Sequence, residues 1–452
     1  YNLWYLHMSA YRLVIQIKDE NGNFVNDEII FTGKVERPES ILDMGLRHSQ
    51  QIDIIQKVQD NILLKQSIYL KEDIVNCPKC GHLLNKNGLS KSSFNAVFTD
   101  HKVPVQRQIC PDCKWSSIPS VNSLFGTNLH PDLIKIQCEE SVTQSYSKAS
   151  DSLNRKSCKK RTVNSTMSIS NVVDNVGNHI GDLSLETQQA SELSKDLVIQ
   201  VDGGHIKSKG VDTRSFEALI STVYSLENVK RNPKNGRGTI TLKHSSASAL
   251  NDNQLHIRKS TINAAYKEGM GKDTDLTALC DGADNCWSVI DALSPHCNSI
   301  TKILDWFHIG MKFKNIGTLS ELEQEEELLD GAKWSLWHGN IELCIERLSS
   351  LQLLLSDEIK INKIKKLSNY FENNRSKIVN YHYRKEQGLI FTSNLAECTV
   401  ESLINQRCKG KNHMQWSRAG AHPILQIRAS IASNEWCLNW EKYVVGAYQK
   451  AG

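Results

Sequence analysis

Apolar and polar positions alternate early in the chain, in YRLVIQIKDENGNFVNDEIIF within residues 9–34. A period of two broken by ENGN predicts a β-hairpin with an Asn-Gly turn. Between 39 and 70 the spacing becomes helical, with apolar residues three and four apart in QQIDIIQKVQDNILLKQSIYL. Residues 130–180 read as short helices around a basic segment. Residues 196–305 alternate strand-like and helix-like runs, the pattern of an α/β core. Residues 306–390 are almost wholly helical in pattern, and 394–447 are helical again. The acidic run ELEQEEELLD (321–330) reads as a solvated helix face. No internal repeat and no long low-complexity tract interrupts this order.

At 452 residues the chain should hold about two to four domains and can bury a sizeable core. Hydrophobic residues make up 39% and charged residues 23%, as in an ordinary globular protein. No apolar run approaches the ~18 residues of a membrane span. The first residues lack the charge, apolar core and cleavage site of a signal peptide. Met8 is a candidate start, which would make residues 1–7 an extension. A cytoplasmic protein without a membrane partner is expected. The net charge of +4 permits nucleic-acid binding without arguing for it, so any basic surface must be local.

Three acids carry the candidate chemistry. Asp202 ends the apolar run of LVIQVDGGHIKSK, Asp281 ends that of LTALCDGADNCW, and Glu397 lies in GLIFTSNLAECTVESL near a helix start. Asp-Gly after an apolar run is usually a turn. Carboxylates from distant parts of a chain also suit Mg²⁺, which prefers hard oxygen ligands and retains waters. Paired ions of this kind activate an attacking oxygen and stabilise a leaving one in phosphoryl chemistry. Glu401 follows Glu397 by one helical turn, and sequence physics alone barely separates them. Asp305 and His308, in DWFH, either support such a site or serve structure, with Trp306 and Phe307 in the core.

Thirteen cysteines are too few for a disulfide scaffold of this length. Four of them form two CPxC units, Cys77 with Cys80 and Cys110 with Cys113. Such knuckles supply thiolates to tetrahedral zinc, and four thiolates leave no open position, so the metal would be structural. The stretch between them is longer than the ~15–20 residues usual for such pairs. It is strand-like and would bring the knuckles together, with Gly81 relaxing the first turn.

Residues 140–178 read as helix, turn, helix, with Arg155, Lys156, Lys159, Lys160 and Arg161 crowding the middle and Asn164 or Ser165 capping the second helix. A helix-turn-helix places its second helix in the major groove with cations on the phosphates. A second basic stretch carries Arg407, Lys409 and Lys411 near Trp416, a mixture that suits a phosphate backbone and a base or sugar face. In each case a solvated basic segment is the alternative.

Taken together, these segments resemble the DDE transposases of bacterial insertion sequences, specifically the Kra-type group related to Mutator-like elements. The resemblance runs over about residues 10–430. It rests on VIQIKDENG, CPKCGHLLNKNG, SYSKASDSL with VNSTMSISNVVDNVG, VDGGHIK, CDGADNCWSVI, ILDWFHIGMKF, KWSLWHGNIELCIERL, NYFENNRSKIVNYHYR, SNLAECTVESL and MQWSRAGAHPILQIRA, in that order. The third acid's segment departs from the family pattern, with Asn394 and Cys398 where Gly and Ser are usual.

The resemblance implies an RNase H-like core in which one strand carries Asp202, a later strand Asp281, and a helix Glu397, favoured over Glu401. DWFH looks like the family's supporting Asp-x-x-His signature. The implied organisation is an N-terminal hairpin and helix (1–75), a zinc ribbon (76–128), a helix-turn-helix DNA-binding region (129–190), and the first part of the catalytic core (196–308). A helical insertion (309–390) and the core's C-terminal helices (391–452) follow. The implied activity is cleavage and transfer of double-stranded DNA at terminal inverted repeats, with Mg²⁺ or Mn²⁺ and structural Zn²⁺, by a homo-oligomer on DNA. A non-catalytic repressor derived from a transposase, or a metal-dependent nuclease of the same fold, are the alternatives.

Overall fold

A computed structural model describes residues 9–18, 21–35, 37–210, 213–231, 238–317, 323–393, 400–409 and 414–448. The chain divides into two compact units, one formed by residues up to 173 together with those from 440 onward, the other by 174–439.

The first unit opens with the expected hairpin, β1 (Ser9–Lys18) antiparallel to β2 (Phe24–Val35). The helix expected over 39–70 is shorter: α1 spans His48–Gln66. Before it, Ser40 and Asp43 cap each other's backbone around one tight turn (Ile41–Asp43), and Gly45 at φ +71° interrupts the chain. Next come β3 (Asn85–Asn95), β4 (Asp100–Ile109) and β5 (Ser116–Ser117), in one antiparallel sheet. Val103 and Val105 of β4 are buried with Val121 of α2 (Val121–Phe125), with Leu63 of α1 packed against them. The helices α3 (Pro131–Thr143) and α4 (Tyr146–Lys156) follow, and α5 (Thr166–Leu183) begins in this unit and ends in the second. Ser165 caps α5, its hydroxyl accepting from the Ser168 amide at 3.2 Å.

The second unit is built on a five-stranded sheet. Its strands are β6 (Asp196–Lys207), β7 (Ser215–Ser225), β10 (His244–Ser248), β11 (Asp275–Cys280) and β12 (Ser299–Leu304). The short strands β8 (Val229–Arg231) and β9 (Gly238–Ile240) pair separately. In the sheet the order is β10-β7-β6-β11-β12; the first three are antiparallel neighbours, and β6, β11 and β12 run parallel. Successive residues of a strand face opposite ways, and β6 serves two cores accordingly. Leu197, Ile199 and Val201 join a cluster with residues of α6 (Leu255–Lys267) and α7 (Asp284–Asp291). Val198 joins the other, with Leu279, Ile303 and the helices α8 (Trp306–Gly317), α9 (Glu323–Trp337), α10 (Ile341–Leu354), α11 (Glu358–Asn373) and α12 (Tyr381–Glu386). This helical lobe agrees with the pattern of residues 306–390. A π-type helical segment (Glu401–Lys409) and α13 (Arg418–Ala432) follow, and α14 (Trp436–Tyr448), which begins in this unit and ends among the residues of the first, closes the described chain. Among the described residues no helix is long and apolar enough to cross a membrane.

Candidate active site

Strand register brings the acids together. In the parallel pairs, Cys280 of β11 lies opposite Val201 of β6 and Leu304 of β12. The next residue in each strand direction is an aspartate: Asp202, Asp281 and Asp305. These acids, far apart in sequence, therefore occupy one row across three adjacent parallel strands.

The two Asp-Gly steps differ. Asp281-Gly282 is a turn, with Gly282 at φ +93° and no room for a Cβ beside Leu304, Tyr370 and Asn374. Asp202-Gly203 is not: β6 continues to Lys207, paired with β7 throughout. There the glycines serve close approach. A Cβ on Gly203 would stand 2.1 Å from a Glu217 carboxylate oxygen, and one on Gly204 would stand 2.5 Å from the Ile404 side chain.

Each acid is held differently. Asp202 accepts the Gly203 amide at 2.8 Å, and its other oxygen lies 3.9 Å from His308 Nε2. Burial is the main reason its carboxyl keeps a proton to higher pH than usual; the charges of Asp281 and Asp305 add to this, while His308 and the Gly203 amide oppose it. Asp281 accepts the Ala283 amide at 3.0 Å, and its carbonyl takes the Tyr370 hydroxyl at 2.6 Å. Asp305 is only 1% exposed and its oxygens are fully engaged. They accept the amides of Phe307 and Ser393 and, at 2.6 Å, the Ser393 hydroxyl, with His308 Nε2 at 3.6 Å. Asp305 thus positions two things: the imidazole that faces Asp202, and Ser393, which leads into 394–399. Glu397 and Lys411 lie outside the described residues. Glu401 is exposed and accepts the Asn405 amide at 2.7 Å. Phe307, expected in the core, is 43% exposed; only Trp306 packs inward, against Trp337 and Tyr381.

The four knuckle cysteines converge in the first unit, their sulfurs all within 4.8 Å of one another. Cys77 to Cys113 is 3.5 Å and Cys80 to Cys110 is 3.4 Å. A tetrahedron with metal–sulfur bonds of ~2.3 Å has edges of about 3.8 Å, so this set can hold a metal ion with little adjustment. The two knuckles turn through residues with positive φ, Gly81 at +76° and Lys114 at +60°. At Cys77, burial works to raise the thiol pKa, yet the amides of Lys79 and Cys80 and the neighbouring thiols bring it down to about 7. The His82 amide works to lower the Cys80 thiol, yet its hydrogen bonds with the neighbouring thiols and burial push it up to about 12.

Two predicted DNA contacts are corrected. Arg161 is 4% exposed: its guanidinium donates to Asp100 and to the carbonyls of Ala96, Val97 and Thr99. Composition marked it as surface charge, but it satisfies the carbonyls of the turn between β3 and β4. Arg407 is 1% exposed, with its guanidinium 4.8 Å from the ring centre of Trp416, which is itself buried. Neither faces solvent. Arg155, Lys160 and Lys409 are exposed; Lys156 pairs with Glu140, and Lys159 lies 3.5 Å from Asp100.

Sequence reasoning missed Tyr370 and Ser393, because a hydroxyl in a helical or loop segment carries no spacing signal. The family profile of UPF0236, an uncharacterised protein family, matches residues 129–439, and the chain belongs to that family. No curated protein matches the chain.

Proposed function

We propose that this UPF0236 member is a DDE transposase that binds the terminal inverted repeats of an insertion sequence, cleaves DNA and joins it to a target. The observation that carries the reading is the register of β6 and β11, which sets Asp202 beside Asp281 at one end of parallel strands. In the RNase H-like core that the resemblance implies, successive strands supply the first two acids and a helix the third. The strand order and the helical segment after Glu397 are compatible with that plan. Like charges packed here are costly to ionise together, and a divalent cation removes the cost.

Asp202 and Asp281 would hold Mg²⁺, with Glu397 completing the set and Mn²⁺ substituting through the same oxygen ligands. Bound ions supply activation of the attacking oxygen and stabilisation of the leaving one. The protein's own part is positioning: Asp305 fixes His308 and Ser393, and Tyr370 fixes the Asp281 turn. Recognition of DNA falls to the helix-turn-helix region through Arg155, Lys156, Lys159 and Lys160, with Lys409 a further cation, and zinc in the knuckles is structural. Both ends must be cut together, so the active form is an oligomer on DNA.

The test is strand transfer by the purified full chain on terminal-repeat DNA with Mg²⁺. Asp281→Asn should lower it by at least about a hundredfold, the scale of losing one preorganised electrostatic contact. Full strand transfer by Asp281→Asn would reject the assignment. A cut but unjoined product from the wild type would indicate a nuclease, and intact end binding without cleavage a repressor.

A further inference from the structure

We propose that Lys312 is a further catalytic residue, its ammonium contacting the non-bridging oxygens of the DNA phosphate that is cut or joined; the inference rests on the transposase reading and adds a cation to its acids. Lys312 lies one helical turn beyond His308 on α8, so the two side chains share a face. That face turns towards the acid row, where His308 Nε2 stands 3.9 Å from Asp202. The Lys312 ammonium lies 4.0 Å from the centre of the Tyr370 ring, and the Tyr370 hydroxyl donates to the Asp281 carbonyl at 2.6 Å. Lys312 is thus linked through His308 to Asp202 and through Tyr370 to Asp281.

Its surroundings set this lysine apart. Lys267 and Lys302, half-buried like Lys312 and in the same unit, pair with Glu435 and Asp291. Among the described residues Lys312 has no carboxylate partner, although three aspartates form the row on its side of the helix. Burial keeps the Tyr370 hydroxyl protonated far above its usual range, so the ring offers a neutral face and not a phenolate. A cation–π contact of this kind holds the ammonium in place without neutralising it. The way in is open: Phe307 and Met311 on α8 are each 43% exposed, and a Cβ on Gly310 would meet nothing within 4 Å.

Phosphodiester chemistry gives such a charge a use. The bond from the attacking oxygen to phosphorus forms as the bond to the leaving oxygen breaks. The attacking hydroxyl's proton passes to solvent, and the leaving oxygen takes one up. Negative charge stays on the non-bridging oxygens throughout, and a cation already fixed beside them acts without reorganising. Lys312 keeps its proton from start to finish, as a compact point charge.

The test uses the full chain and two duplexes of the element's end, one with an ordinary phosphate at the scissile position and one with an uncharged methylphosphonate there. Binding is measured without metal. The acids then repel the phosphate in every protein compared, so a difference between proteins isolates the lysine. The preference for phosphate over methylphosphonate should be about tenfold greater in the wild type than in Lys312→Met, the scale of one hydrogen bond to a charged group. Strand transfer with Mg²⁺ at saturating DNA should fall about a hundredfold in Lys312→Met, and Lys312→Arg should recover most of both effects. An unchanged preference in Lys312→Met would overturn the contact; with transfer also lost and not recovered by Lys312→Arg, the lysine would be a brace for Tyr370. Wild type that transfers normally, matched by Lys312→Met in both measurements, would reject the lysine and leave the transposase reading standing. Wild type that never transfers would reject both.

Discussion

The cysteine set and the acid row are both candidate metal centres, and the chain builds them in opposite ways. The cysteines come from two local turns whose sulfurs already lie at nearly tetrahedral separations. The acids come from three strands and are aligned only by sheet register. One set closes on itself. The other leaves like charges side by side, with Asp202 holding its proton above the usual range because it is buried among acids. A closed set of soft ligands suits a permanent structural ion; an open row of hard ones suits an ion that must also meet substrate.

The largest effect should follow from breaking the closed set. Cys110→Ser should remove stoichiometric zinc and unfold the β3–β4 region, since binding of structural zinc contributes roughly 10–16 kcal/mol in small metal-folded units. Metal content by atomic absorption and loss of β3–β4 amide protection would check it. A folded, metal-free variant would show that the knuckles stand without an ion.

The same contrast between closed and open polar groups applies to the cations. Arg161→Ala removes a buried guanidinium from Asp100 and from the carbonyls of Ala96, Val97 and Thr99, and should cost roughly 1–3 kcal/mol, the range for buried acceptors that lose a donor. Lys160→Gln, at an exposed position, should change stability by less than about 0.5 kcal/mol while lowering the salt dependence of DNA binding. Denaturant unfolding and binding titrations at several salt concentrations separate the two. Equal stability losses would erase the distinction.

A smaller effect sharpens the acid side. Saturating Mg²⁺ should raise the unfolding free energy of the second unit by about 2.7 kcal/mol at a hundredfold excess over its dissociation constant. Asp202→Asn should lose that response without losing stability in metal-free buffer. The sign follows from the raised pKa: ionising a buried acid costs stability as pH rises through its folded-state value, and the amide escapes that cost.

How much of this was legible in the sequence depends on how local each feature is. The CPxC pairs are local, and their chemistry follows from spacing. Asp202 and Asp281 were visible because apolar strands ended on them, but the two Asp-Gly steps looked alike and proved to be an extended strand and a turn. Asp305 was read in DWFH as a supporting or structural residue; that it lies in the same row as Asp202 and Asp281 was not legible, because register is a property of paired strands. Arg161 and Arg407 read as surface charge for a similar reason: a count of cations carries no information about which carbonyls or rings wait for them. The helical lobe was legible from its spacing, whereas the packing of Trp306 against Trp337 and Tyr381 within it was not.

The most direct test of the central claim is excision in cells of an element carrying this gene between its own ends. Wild type is compared with Asp202→Ala, Asp281→Ala, Glu397→Ala and Glu401→Ala. The account predicts that excision disappears in the first three variants and persists in Glu401→Ala. Excision that survives loss of Asp202 or Asp281, with the variant protein present at wild-type level, would contradict it.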